Sequence, residues 1–197
     1  MRSFSLILAL VVFTAPALAQ LPPLYCLDVD GNFCLSWLVA GPNITFSATC
    51  GTSGDATPMA WCGFGLSGDK SGSMVPADVM MVTVDSATKN VFISDRNIKS
   101  YASPPCSSTA ASTLLSSSVD ANNVLHATWT RALDPGSGHV AITNGWSYLI
   151  AASVNPSTPS PATLCLATMP QHDRHLEKLP INFFNPPPSE SAREAAY

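Results

Sequence analysis

The stretch at positions 61–96 reads "WCGFGLSGDKSGSMVPADVMMVTVDSATKNVFISDR" and sets the pattern of the chain. Its first residues alternate with a period of two, so that Cys62 and Phe64 face one way while Trp61 and Gly63 face the other. The runs "ADVMMVTVD" and "NVFISD" are joined by four polar or small residues, which is typical of a β-hairpin. This stretch therefore predicts antiparallel strands.

Runs of the same kind recur through the rest of the chain, separated by clusters of turn residues, and no window has the periodicity of an amphipathic helix. Short strands at this spacing indicate an all-β protein, specifically an antiparallel, immunoglobulin-like β-sandwich. The predicted strands are residues 33–39, 43–50, 59–66, 77–85, 90–95, 113–120, 123–133, 145–153, 163–169 and 179–184.

The first residues, "MRSFSLILALVVFTAPALAQ", have the layout of a secretory signal peptide. Arg2 is the basic residue, an apolar run follows, and Ala17 and Ala19 form a small-x-small cleavage site. The apolar run is too short to span a bilayer, and no later segment is long enough. We therefore expect a secreted protein without a transmembrane segment in the mature chain. The expected parts are a signal peptide at 1–19, one domain at 20–184 and a disordered tail at 185–197.

The chain has 9 basic and 13 acidic residues, a formal net charge of −4, and no cluster of Lys or Arg. Binding to nucleic acid or to an anionic membrane surface depends on a basic patch, so the sequence argues against both kinds of partner.

The cysteine count is even, which predicts disulfides in an oxidising compartment. Cys26 and Cys34 flank a strong turn signal at Asp30-Gly31, so we expect these two to pair, and the sequence does not choose among the other pairings. Asn43 begins the sequon Asn-Ile-Thr and is the predicted glycosylation site. The candidate disulfide cysteines are Cys26, Cys34, Cys50, Cys62, Cys106 and Cys165.

Catalytic patterns are weak in this sequence. The serine-hydrolase motif G-x-S-x-G does not occur. Asp78 starts a predicted strand and favours a turn or capping role, while His126 suggests a half-exposed strand position and His139 a surface loop. His172 and His175 are three residues apart and could bind a metal only with further ligands, so a surface turn is the simpler interpretation.

Met74 is unusual because it stands in a loop of glycine and serine, whereas methionine normally fills gaps in apolar cores. A loop methionine and a distant histidine could together ligate the iron of a haem. A core position for Met74 is the alternative.

The stretch 61–96 resembles the DOMON family, whose members are β-sandwiches that bind haem or sugar. The later runs "LHATWTRALDP" and "GWSYLIAAS" are similar to other strands of that family, and the resemblance covers residues 33–184. The elements that carry it are Trp61, Gly63–Ser67, Met74, Ala77-Asp78, Val79–Val84 and Asp95-Arg96.

The resemblance implies a non-covalent haem b whose axial ligands are Met74 and His172, with His175 as the fallback for the second ligand. The segment "QHDRHLEKLPINFF" is similar to the late motif that carries the family's histidine, although the glycine of that motif is missing. We expect Trp61, Phe64 and Met80 to form the apolar wall around the haem.

The sequence thus predicts an extracellular one-electron carrier rather than an enzyme, with a separate protein or a small molecule as its donor or acceptor. The first alternative is a haem-free module that binds a sugar or another small ligand at the cell surface or in the matrix. The second is a structural module held by its disulfides.

Overall fold

The computed structural model describes residues 25–26, 33–51, 61–68, 73–85, 88–100, 106–107, 109–145, 147–154 and 175–185. Its regular elements are strands, as the alternating pattern predicts. They are β1 (Tyr25–Cys26), β2 (Phe33–Ala40), β3 (Asn43–Cys50), β4 (Trp61–Ser67), β5 (Ala77–Val84), β6 (Val91–Ile98), β7 (Ser112–Val119), β8 (Leu125–Ala132), β9 (Ser147–Val154) and β10 (His175–Ile181).

The strands form two antiparallel five-stranded sheets. The first sheet has the order β1-β2-β3-β8-β7 and the second has the order β10-β9-β4-β5-β6. Because β4 pairs with both β5 and β9, it is the central strand of the second sheet. The prediction of an all-β antiparallel sandwich is confirmed. No helix in the described part of the chain is long and apolar enough to cross a membrane.

The inner faces of both sheets supply one apolar core. Trp129 of the first sheet stacks on Phe46 at a ring-centroid distance of 5.5 Å and lies 5.9 Å from Phe64 of the second sheet. The indole N–H of Trp129 donates a hydrogen bond of 3.1 Å to the sulfur of Met80. Burial of aromatic surface on this scale is the main source of stability in a sandwich of this size.

Two disulfides lie wholly within the described residues. Cys26 and Cys34 are bonded and stand directly opposite each other in the β1–β2 ladder, which confirms the predicted pair. Cys50, the last residue of β3, is bonded to Cys62 of β4, so this bond joins the two sheets at one end of the sandwich. Cys106 is also disulfide-bonded, and its partner lies outside the described residues.

The prediction failed in detail at the last strand. We expected a strand at 179–184, whereas β10 runs from His175 to Ile181. β10 is the edge strand of the second sheet, where charged residues and Pro180 are tolerated because one side of the strand has no ladder partner. The predicted strand at 163–169, the signal peptide at 1–19 and the tail beyond residue 185 lie outside the described residues.

Candidate functional site

Met74 lies in the short segment that leads from β4 into β5. The Ser73 hydroxyl accepts a hydrogen bond from the Val75 N–H at 3.1 Å and donates one to the Val75 carbonyl at 2.8 Å, which fixes the bend around Met74. Just after this bend, the Gly68 N–H donates to the Pro76 carbonyl at 2.9 Å. The segment that carries Met74 is therefore tied to itself on one side and to the end of β4 on the other.

The side chain of Met74 is partly buried against a small apolar cluster on the outer surface of the second sheet. This cluster is separate from the main core because alternate residues of a strand point to opposite faces of its sheet. We refer to it as the Met74 face. Its members are Met74, Trp61, Ala77, Val79, Met81 and Ile98.

The floor of the Met74 face is low because β4 has glycines at its outward positions. A Cβ atom at Gly65 would lie 2.5 Å from Cγ2 of Val79 and 3.0 Å from the carbonyl oxygen of Asp78. At Gly63 it would lie 3.2 Å from Cγ1 of Val79 and 3.6 Å from Cζ3 of Trp61. Neighbouring side chains therefore lie directly over the β4 backbone, which produces a flat apolar surface.

Gly65→Ala is expected to lower the free energy of unfolding by about 1–3 kcal/mol, because overpacking must displace either Val79 or the backbone at Asp78. Urea denaturation of the purified variant measures this change. Gly145→Ala is the matched control, since no atom lies within 4 Å of a Cβ at that glycine, and its stability should stay within about 0.5 kcal/mol of the wild type. Equal stability of the two variants would contradict the close approach.

Trp61 contributes a polar atom to this apolar surface. The residue is 7% exposed, and its indole nitrogen is buried without a hydrogen-bond partner in the described part of the chain. A buried donor without a partner costs about 1–3 kcal/mol. The Trp61 N–H is therefore available to an acceptor that a ligand would bring to the Met74 face.

Arg96 places a positive charge beside the same surface. It stands opposite Val79 in the β5–β6 ladder and so lies on the outer side of the second sheet, where it is fully buried. Its Nε donates a hydrogen bond of 3.4 Å to the Ser94 hydroxyl. Burial lowers the pKa of Arg96 from its ordinary value, because desolvation disfavours the charged form.

The expected haem wall is only partly on this surface. Trp61 belongs to the Met74 face, but Phe64 and Met80 are fully buried in the main core, on the inner side of the same sheet. The assignment of Phe64 and Met80 to a wall shared with Met74 is therefore corrected. Val79 and Met81, their neighbours in sequence, occupy the outward positions instead.

The second axial position remains a prediction. His172 lies outside the described residues, and His175 is the first residue of β10, where it pairs with Ser153 of β9. Asn43, the predicted glycosylation site, is exposed at the start of β3. Among the described residues, no group of three or more His, Cys, Asp or Glu side chains could hold a metal ion.

A buried polar cluster, missed by the sequence predictions, lies inside the sandwich at the end that carries Met74. Asp78 is fully buried, and its Oδ2 accepts hydrogen bonds from Nη1 of Arg131 at 3.1 Å and from the Val140 N–H at 3.0 Å. Its Oδ1 lies 3.1 Å from Nδ1 of His139. Asp78, Arg131 and His139, which we name the Asp78 cluster, have side chains that are at most 1% exposed.

The expected roles of two of these residues are thereby corrected. Asp78 does accept a backbone N–H bond, but it pairs the two sheets rather than capping a local turn. His139 is buried rather than a surface side chain, and its Nε2 lies 3.1 Å from the Thr109 carbonyl and 3.2 Å from the Thr109 hydroxyl. His126 is as expected, with a side chain 43% exposed on β8.

The two sheets, their order and the Met74 face together define an antiparallel β-sandwich of the cytochrome-domain type. The family model for the DOMON domain matches residues 29–153, and the chain belongs to the DOMON family. No curated protein sequence gives a significant match to the chain.

Two solved structures have a similar fold. The cytochrome domain of Myriococcum thermophilum cellobiose dehydrogenase is 18% identical, with a TM-score of 0.59, and the match covers 83% of this chain and 81% of that domain. The cytochrome b domain of pyranose dehydrogenase from Coprinopsis cinerea is 17% identical, with a TM-score of 0.61 and 85% coverage of both chains. At these identities the likeness establishes the fold.

Proposed function

We propose that this protein is a secreted DOMON module that binds haem b and carries single electrons, with Met74 as one axial ligand. The observation that carries the proposal is the position of Met74, whose thioether is partly buried on a flat apolar surface outside the main core. We further propose His172 as the second ligand, with His175 as the fallback.

The residues of the Met74 face suit haem b in their chemistry. The macrocycle is flat and apolar, and the glycine floor of β4 with Val79 and Met81 offers a surface of that character. The propionates of haem b are anionic, and the buried Arg96 and the unpartnered N–H of Trp61 are a cation and a donor on that side of the sheet. When bound, haem supplies an iron that takes up and releases one electron, and Met/His ligation raises its reduction potential.

Electron carriage without substrate turnover is the corresponding role. Both named structural neighbours are cytochrome domains of dehydrogenases. We propose that the electron donor or acceptor is a separate protein or a small molecule, or a carbohydrate-active partner in the case of a sugar-linked role. Secretion is supported by the disulfides, which are typical of oxidising compartments.

Absorption spectroscopy of the purified protein tests haem binding. The protein should be red, with a Soret band and sharp α and β bands after reduction by dithionite. A colourless protein that also fails to take up added hemin would refute the proposal. That result would favour a haem-free module in which the Trp61 indole meets a sugar or another small ligand.

Met74→Leu is expected to remove one axial ligand while the fold survives, because leucine has a similar volume but no sulfur. The reduced spectrum should lose its low-spin bands, and the reduction potential should fall by roughly 0.1 V, within the ~0.8 V that axial ligands span. Spectra and redox titration of the haem-loaded protein measure both changes.

Met81→Leu is the matched control, since it makes the same change on the same face, at a residue proposed to line the haem rather than to ligate it. Its spectrum should stay low-spin. Unchanged spectra in Met74→Leu would refute the ligand assignment. His172→Ala and His175→Ala, made singly, decide which histidine is the second ligand.

A further inference from the structure

We infer that the Asp78 cluster is a positioning device for Met74. Asp78, Arg131 and His139 hold the start of β5 in place, and through it the segment that presents the thioether on the Met74 face. The inference rests on the proposed function only where iron ligation is concerned. The placement of Met74 can be tested without haem.

The Asp78 carboxylate joins three parts of the fold at one point. Arg131 lies on β8 of the first sheet, while His139 and the Val140 N–H belong to the loop that follows it. Asp78 itself is the second residue of β5 and stands four positions after Met74. The start of β5 is thus fastened across the sandwich as well as within its own sheet.

The Met74 segment depends on that fastening because its other printed ties are local. Ser73 bonds only to Val75 in its own bend, and the Pro76 carbonyl is held by Gly68 at the end of β4. A shift in the start of β5 is therefore transmitted to Met74 through two intervening residues. The fully buried Asp78 leaves no room for such a shift while its partners remain in place.

Loss of the carboxylate would force the movement at this end. Arg131 is fully buried, and in the described part of the chain Asp78 is the carboxylate that pairs with it. Its remaining bonds are to the Val140 carbonyl at 2.8 Å and the Ala132 carbonyl at 3.4 Å. An uncompensated buried guanidinium draws in water, and the sheets can part only here, because the Cys50–Cys62 bond closes the opposite end.

The test compares two buried carboxylates of the same interior. Asp95 is 5% exposed and accepts bonds from the Ser112 N–H, the Ser112 hydroxyl and the Ala111 N–H, but it lies on β6 and far along the chain from Met74. Asp95→Asn therefore controls for a general loss of stability, while Asp78→Asn removes the charge next to the Met74 segment.

The readout is the methyl signal of Met74 in haem-free, methionine-methyl-labelled full chain, assigned by its disappearance in Met74→Leu. Asp78→Asn should move this signal toward its position in the unfolded chain, and Asp95→Asn should leave it in place. An unmoved Met74 signal in folded Asp78→Asn protein would overturn the inference, as would an equal displacement in both variants.

His139 supplies a second, milder pair of variants should Asp78→Asn fail to fold. The amide of His139→Asn can still donate to Asp78 Oδ1 as ring Nδ1 does, whereas His139→Ala cannot. The Met74 signal should move in His139→Ala and return in His139→Asn. If both leave it unmoved, the inference is wrong.

In the haem-loaded protein, the low-spin fraction should fall in Asp78→Asn and hold in Asp95→Asn. Failure of the wild type to bind haem would remove the proposed function and leave the methyl test standing. Haem binding together with an unmoved methyl signal would remove only the positioning role.

Discussion

Asp78→Ala is expected to lower the free energy of unfolding by about 3–5 kcal/mol, because it leaves Arg131 as an uncompensated charge in the interior. His139 and the Val140 N–H lose their acceptor in the same variant. Urea denaturation followed by tryptophan fluorescence measures the loss. Arg131→Met should cost a similar amount, since it strands the carboxylate instead.

The double variant Asp78→Ala/Arg131→Met separates the ion pair from its surroundings. With both charges gone, no charge is stranded, so the double variant should be more stable than the sum of the two single losses requires, by about 0.5–3 kcal/mol. Additive losses would show that Asp78 and Arg131 act independently and would contradict a coupled cluster.

Trp129→Ala is expected to destabilise the protein by about 3–5 kcal/mol through the cavity it leaves. Trp129 is fully buried at the centre of the sandwich, between Phe46 and Phe64, and no neighbouring side chain is small enough to fill the space by a slight shift. Thermal unfolding followed by circular dichroism should show a lower midpoint for this variant.

Trp129→Phe is the control for the aromatic contacts. It keeps a ring between the sheets but loses the N–H bond to the Met80 sulfur, so its loss should be clearly smaller than that of Trp129→Ala. Equal losses would show that the hydrogen bond, rather than the filled volume, stabilises this part of the core.

Local patterns predicted much of this fold. The alternation around Phe64 placed β4 with Cys62 facing inward and Gly63 outward, as observed. The turn at Asp30-Gly31 brought Cys26 opposite Cys34, also as observed. These predictions succeeded because side-chain alternation and tight turns are set by residues close together in sequence.

Long-range contacts were beyond that reach. Asp78 meets Arg131 and His139 across 53 and 61 positions of sequence, and no local pattern announces either contact. The expected haem wall erred for a different reason. Phe64 and Met80 are good apolar residues near Met74 in sequence, but strand alternation turns them toward the core and away from it.

The two ends of the sandwich are closed by bonds of different kinds. At one end the Cys50–Cys62 bond is covalent, while at the other the sheets meet through the side chains of the Asp78 cluster. Noncovalent partners can be exchanged for water one at a time, and a covalent crosslink cannot. The sandwich is therefore mechanically like a hinged pair of plates, stiff at the disulfide rim and compliant at the rim that bears Met74. Breathing motions of the native state should be concentrated where a ligand would enter.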